Sequence, residues 1–218
     1  MPRSRGDRRR HVDTTAVPAT IRLQDSTIVQ PPAGASPGPR LGPRLLDADT
    51  IASRVDELAA SIAESARGDP QEPPLLLVCV LKGSFVFTAD LARRLAAHDV
   101  RVEVEFIAVR SYGGESPSGS VELVRDVATP LRDRDVLLVE DVVDTGMTTS
   151  FLIEHCRAHV PRRLRLVALL NKPGRRQRPV PIDFCGFTIG DDFVVGYGLD
   201  LDGRWRELAD VHTLDTTG

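Results

Sequence analysis

Val136–Ser150, VLLVEDVVDTGMTTS, decides how this chain is read. An apolar run of the length of a buried strand ends in two adjacent acids, Glu140 and Asp141, and then in a short loop of Asp, Thr and Gly. The residues that follow, FLIEHCRAH, predict a helix with Phe151, Leu152 and His155 on one face, so the order is strand, acidic tip, loop, helix. Open α/β sheets bind ligands at the carboxyl ends of their strands. Glu140 and Asp141 fall there, and a carboxylate pair can accept hydrogen bonds from vicinal ribose hydroxyls. The loop Asp144-Thr145-Gly146-Met147-Thr148-Thr149 can aim backbone N–H groups and three hydroxyls at one phosphate, with the positive end of the helix dipole behind it. Gly146 lets the backbone come close. These features predict a pocket for a phosphorylated sugar. The Gly-Lys-Ser/Thr ending of a P-loop and the Gly-x-Gly-x-x-Gly turn of a dinucleotide site are both missing from the segment, which argues against nucleoside triphosphates and NAD.

Composition sets the frame for that site. A length of 218 residues suits one domain with a tail, and 41% hydrophobic content with a net charge of -3 describes an ordinary globular chain, not a general nucleic-acid binder. The longest apolar runs, such as Leu75 to Leu81, are too short to cross a bilayer, and the arginines at 8 to 10 precede no apolar signal-peptide core, so a cytoplasmic protein without membrane partners is expected. Cys79, Cys156 and Cys185 lack metal-like or Cys-x-x-Cys spacing, so buried reduced thiols are expected, and neither zinc nor disulfides. Of the 28 basic residues only Lys82 and Lys172 are lysines. A chain that uses arginine elsewhere has kept a compact ammonium at two positions, which marks both as candidates for a charge-specific task.

Residues 1–44 carry eight arginines against three aspartates and many prolines and read as a disordered N-terminal extension. The domain is expected over 45–218. Ile51, Val55, Leu58 and Ile62 share one face of a helix that Asp47 or Asp49 could cap and Gly68-Asp69-Pro70 would stop. LLLVCVL is a buried strand, FVFTADLARRLAAH a helix and VRVEVEFIAV a second strand, which makes a βαβ unit. Ser111 to Ser120 is small, polar and glycine-containing and reads as a loop able to act as a lid. VELVRDV, the motif strand, its helix and LRLVALL follow, and successive βα units imply a parallel, doubly wound sheet. The segment from about 180 to 214 has short strands and turns that suit a small cap over the sheet edge.

Two further pieces converge on the same edge. Leu81-Lys82-Gly83-Ser84 ends the first core strand, where Gly83 and Ser84 can offer backbone N–H groups to a pyrophosphate beside the Lys82 charge. Lys172 ends LRLVALLN, where an ammonium can donate to the exocyclic carbonyl oxygen of a base.

An acidic pair followed three residues later by Asp-Thr-Gly resembles the 5-phosphoribosyl pyrophosphate (PRPP) signature of type I phosphoribosyltransferases, and more narrowly the hypoxanthine-guanine phosphoribosyltransferase family. The resemblance runs from about Leu45 to about Leu214, with Asn171 and Met147 as small departures. It implies an α/β fold with a central, mostly parallel sheet flanked by helices and a small hood, a homodimer or homotetramer, and Mg²⁺ as cofactor associated with Glu140, Asp141 and Asp200. It makes Asp144 the general base and assigns PRPP to Glu140, Asp141, Thr145, Gly146, Met147, Thr148 and Thr149. Lys82, Gly83 and Arg206 would hold pyrophosphate, with a cis peptide before Lys82. Lys172 would read the 6-oxo group, Phe193 would stack on the purine and the backbone of Val194 would read its edge, within a Gly-Phe-x-Ile-x-x-x-Phe-Val-Val-Gly-Tyr-x-Leu-Asp pattern. Ser111 and Tyr112 would belong to a closing loop. The reaction implied is transfer of the phosphoribosyl group from PRPP to hypoxanthine or guanine in purine salvage. Xanthine is a competing substrate. A pyrimidine is disfavoured by Asp144. A nucleic-acid-binding regulator on the same fold is the reading from another class, and a charge of -8 after residue 44 (-3 for the chain less +5 for the extension) opposes it.

Overall fold

The computed structural model describes residues 39–66, 71–111 and 121–215. Most of the proposed extension, the Gly68-Asp69-Pro70 stop and Tyr112 lie outside the described residues. The chain enters strand β1 at Arg40–Leu46, so the start expected near Leu45 is corrected: residues 40–44 are part of a strand. Helix α1, Ala48–Ser65, follows, capped by the Asp47 carboxylate, which accepts from the Thr50 N–H at 2.8 Å. Then come β2 (Leu75–Leu81), α2 (Phe85–Ala97), β3 (Val102–Ser111), β4 (Val121–Arg125), β5 (Asp135–Val143), α3 (Met147–Ala158), β6 (Arg163–Asn171), β7 (Phe184–Thr188), β8 (Val194–Val195) and β9 (Val211–Asp215). A short 3-10 turn at Pro173–Arg175 lies between β6 and β7.

The central sheet has six strands in the order β4-β3-β2-β5-β6-β7. All neighbours are parallel except β4, which returns antiparallel along β3. Strand periodicity of two divides the core between the two faces. Leu75, Leu77, Leu137, Val139, Val167 and Leu169 pack with Ile51, Val55, Leu58 and Ile62 of α1 and Phe87, Leu91 and Leu95 of α2. Leu76, Val78, Val136, Leu138, Leu166 and Ala168 pack with Leu152, Ile153 and Cys156 of α3. The inward face of α3 is therefore Thr149, Leu152, Ile153 and Cys156, a correction to the face proposed from sequence. Phe151 and His155 are only half-buried and stack on one another at its flank.

The hood also differs from the continuous cap expected over 180–214. Phe184–Thr188 belongs to the central sheet beside β6, and the small second sheet is β1-β9-β8. Its edge strand β1 takes register shifts between Leu41 and Leu46, the stretch containing Pro43, which cannot donate to a ladder and is tolerated at an edge. Among the described residues no helix is long and apolar enough to cross a membrane. Cys79, Cys156 and Cys185 are all free thiols, the first two buried.

Candidate active site

The carboxyl ends of β2, β5 and β6 carry the functional side chains. Strand β5 continues through the acid pair to Val143, and strand geometry then sends consecutive side chains to opposite faces. Glu140 turns toward α3, is 4% exposed, and accepts from Thr149 Oγ1 at 3.4 Å. Asp141 turns toward the β2–α2 connection, where an added methyl on Gly83 would lie 1.5 Å from Asp141 Oδ2. The pair that the sequence suggests as one twin acceptor is thus split across the sheet. Burial, followed by the neighbouring Asp141 charge, pushes the Glu140 carboxyl well above its usual range. Burial also raises Asp141 to about 6, against the N–H of Val142, which donates to Asp141 Oδ1 at 2.8 Å, and the cation of Arg206.

The β5–α3 loop makes a phosphate-sized cradle. Gly146 caps α3 in the left-handed region at φ 81 and has no side chain to cap it; the first-turn N–H of Met147 donates to Thr145 Oγ1 at a long 3.4 Å, which leaves the N-terminus of the helix open to an anion. The loop is held from behind. Arg176 donates to the carbonyls of Asp144 and Val143 and to Asn171 Oδ1 at 3.0, 3.1 and 2.6 Å, while the N–H groups of Gln177 and Arg178 donate to the Thr145 carbonyl. Asp144 lies beside this strap. Its Oδ1 is 3.2 Å from Nε of Arg175, yet it is a buried oxygen without a hydrogen-bond donor.

Lys172 is tied to the residue before Phe193, although 20 residues separate the ammonium from its acceptor. Lys172 is 4% exposed, and Nζ donates to the carbonyl of Asp192 at 2.7 Å. Burial lowers its proton affinity, with the Asp144 charge opposing. Phe193, next in sequence, is 45% exposed, whereas Val194 is buried in β8. An exposed aromatic next in sequence to the carbonyl that fixes an ammonium, and a carboxylate lacking a donor, are groups suited to a flat heterocycle with a carbonyl edge.

At the other end, the Leu81–Lys82 peptide is cis and Lys82 is exposed. Ser84, at the start of α2, donates to the Val80 carbonyl at 2.7 Å and leaves the helix N-terminus uncapped by a side chain. Arg206 donates to the Gly198 carbonyl and pairs with Asp200 Oδ1, both at 2.6 Å. The charges of Arg206 and Asp200 both act on Asp141, which places these side chains around one anion-binding end. Asp141 is thus linked to Gly83, Glu140, Asp200 and Arg206, and Asp144 to Lys172; Phe193 and Val194 follow the carbonyl that Lys172 holds, and Lys82 precedes Gly83. Ser111 ends β3.

Sequence reasoning missed Arg175 and Arg176, which hold Asp144 and the loop, and the Asp192 carbonyl, which fixes Lys172. In a chain so rich in arginine, PGRRQR carries no compositional signal.

The fold is that of an α/β protein with a mostly parallel central sheet, and its candidate phosphosugar site lies at the sheet's carboxyl edge. Residues 44–202 match the phosphoribosyl transferase domain family. The chain is 45% identical over 174 residues, covering 78% of this chain and 84% of the relative, to a protein named hypoxanthine-guanine phosphoribosyltransferase in Mycobacterium avium. It is 42% identical over 159 residues to the hypoxanthine phosphoribosyltransferase of Salmonella typhimurium, covering 72% of this chain and 86% of that one. Among solved structures, the hypoxanthine phosphoribosyltransferase of Trypanosoma cruzi in complex with the product IMP aligns with a TM-score of 0.74 at 40% identity, covering 79% of this chain and 93% of that one. The chain belongs to the phosphoribosyl transferase domain family.

Proposed function

We propose that this protein is an enzyme of purine salvage that transfers the 5-phosphoribosyl group of PRPP to a 6-oxopurine, hypoxanthine or guanine. The observation that carries the substrate class is the buried Lys172, whose ammonium is fixed beside Phe193. It donates to a 6-oxo group, whereas the amine of adenine at the same position has no lone pair to offer in return. The carbonyl oxygen of Asp192 and the backbone of Val194 read the rest of the base edge.

In the reaction, purine N9 bonds to the ribosyl C1′ as the C1′–O bond to pyrophosphate breaks. Positive charge develops on the ribose ring, and the proton on purine N7 passes to Asp144. The missing donor at Asp144 Oδ1 suits a base that takes its partner from the substrate. The 5′-phosphate rests on the N–H groups at the start of α3 together with Thr145, Met147, Thr148 and Thr149. Glu140 and Asp141 serve the ribose hydroxyls, each from its own side of β5. Lys82, Gly83 and Arg206 meet the departing pyrophosphate, and the exclusion of water falls to Ser111 and Tyr112.

Mg²⁺ is the cofactor of this reading. The donors near the pyrophosphate end, Asp141 and Asp200, are hard carboxylate oxygens, and Mg²⁺ takes few protein ligands when substrate phosphates are available. When bound, it neutralises charge on the diol and pyrophosphate oxygens. The reading extends to a cytoplasmic homodimer or homotetramer, which sedimentation of the purified chain would test.

The deciding experiment incubates the protein with PRPP and Mg²⁺ and each of hypoxanthine, guanine, xanthine, adenine and uracil, with pyrophosphate release as readout. Product with hypoxanthine or guanine and none with adenine or uracil is expected. Product with uracil alone would overturn the reading.

A further inference from the structure

Away from the carboxyl edge, among the described residues, one group of side chains gathers metal-ligating atoms: Asp126, just after β4, with His155 and His159 of α3 and its end. One ligand atom from each lies within 4.8 Å of the others. The histidines are four residues apart and so share a helical face, and their rings meet edge to face at 4.9 Å between centroids. His155 Nε2 is 2.9 Å from Asp126 Oδ1, and His159 Nδ1 is 3.0 Å from the His155 carbonyl oxygen. A carbonyl oxygen only accepts, so the proton of a neutral His159 is on Nδ1 and the lone pair on Nε2 faces outward. A backbone carbonyl that fixes the tautomer of a ligating histidine is a recurrent support of metal sites. None of the three residues takes part in the proposed transfer. His155 is eight residues past Met147, about 12 Å along the helix from the phosphate cradle.

We propose that Asp126, His155 and His159 bind a divalent transition metal of borderline softness, with Zn²⁺ as its representative, through two imidazole nitrogens and one carboxylate oxygen. Imidazole donors select such ions over Mg²⁺ and Ca²⁺. Bonds of about 2.0 to 2.2 Å put neighbouring tetrahedral ligands roughly 3.4 Å apart. The widest separation in the cluster therefore has to close by up to about 1.4 Å, and the 2.9 Å pair of His155 and Asp126 to open slightly, both within reach of side chains at the surface. Water completes the coordination. The metal takes the place of the proton shared by His155 and Asp126: a neutral His155 moves that proton from Nε2 to Nδ1, and a charged ring releases one to solvent. Cysteine spacing gave no sign of zinc because thiols take no part.

The test is calorimetric titration of the full chain with ZnCl₂ near neutral pH in a buffer that does not chelate, on wild type, His159→Ala, the His155→Ala/His159→Ala double variant and Asp141→Asn. One equivalent should bind to wild type and to Asp141→Asn alike, at least tenfold more weakly to His159→Ala, and not at this site in the double variant. Circular dichroism of His159→Ala and of the double variant guards against a folding defect. Co²⁺ should give visible d–d absorption in wild type that the double variant lacks, and Zn²⁺ should raise the thermal midpoint of wild type and of Asp141→Asn but not that of the double variant. Absence of binding, equal affinity in the double variant, or loss of binding in Asp141→Asn instead would overturn the site.

Discussion

Gly83 and Asp141 are packed so closely that a methyl on the glycine would lie 1.5 Å from the carboxylate Oδ2. The β2–α2 connection and the acid of β5 therefore form one wall, and its spacing depends on a hydrogen standing where every other residue has a carbon. Gly83→Ala must displace either the turn carrying Lys82 or the Asp141 carboxylate. The expected cost is about 1–3 kcal/mol of stability and at least a tenfold rise in KM for PRPP, measured by denaturant melts and steady-state kinetics. A variant with wild-type KM would show that the wall yields without consequence.

Asp141 also sets a pH dependence. Its folded pKa of about 6 lies above its ordinary value of 3.8, so between those values the folded state holds more protons than the unfolded one. The stability associated with the protonated acid is fully present below about pH 4 and is lost as pH rises through about 6. Asp141→Asn removes this loss. Its thermal midpoint should exceed that of wild type at pH 7 to 8, and the gap should shrink toward pH 4. A gap independent of pH would contradict the assignment.

Asp144→Asn keeps the shape of the loop and removes the proton acceptor. Turnover should fall by about 10² to 10⁴, with PRPP affinity nearly unchanged, because the proposed role of Asp144 is toward the base and that of the N–H groups beyond it toward the phosphate. Presteady-state measurement of product formation against equilibrium PRPP binding separates the two effects. An unchanged rate would remove Asp144 from the chemistry.

Phe193→Ala probes the exposed ring. At 45% exposure the side chain contributes little to the core, so the thermal midpoint should barely move. Base–aromatic stacking is worth about 1–3 kcal/mol, which corresponds to a rise in purine KM of roughly 5- to 150-fold with the KM for PRPP unaltered. A lowered midpoint with normal purine KM would mark Phe193 as a packing residue.

Much of this was legible in the sequence because local pattern and global fold agree. LLLVCVL could only be a buried strand, and the α1 stripe of Ile51, Val55, Leu58 and Ile62 repeats at helical spacing. Strand β1 was not legible. RLGPRLL carries no alternation, and its partner β9 lies at the far end of the chain. Phe184–Thr188 was read with the hood for a similar reason, since a five-residue edge strand looks the same in either sheet. The separation of Glu140 from Asp141 was available in principle, because period two sends neighbours apart once the strand is seen to run on to Val143. Asn171, an unexpected residue before Lys172, acquires a reason only in three dimensions: it accepts from Arg176.

That contact leads to the last expectation. Arg176 reaches three acceptors with Nε and Nη2, the carbonyls of Val143 and Asp144 and the amide oxygen of Asn171, and so ties the end of β5 to the end of β6. A planar guanidinium can serve this divided set, whereas an ammonium on a flexible stem cannot reach all three at once. Arg176→Lys should therefore behave almost as badly as Arg176→Leu, each losing about 1–3 kcal/mol of stability because the Asp144 carbonyl and the Asn171 amide oxygen lose their donor, while Val143 keeps only the Lys172 N–H. The phosphate cradle should loosen as well, raising the KM for PRPP more than that for the purine, because the Thr145 carbonyl is held by the N–H groups of the next two residues. Steady-state kinetics with each substrate varied in turn, together with melts of both variants, decides the matter: a lysine variant indistinguishable from wild type would mean that charge, and not the shape of the fork, holds the loop.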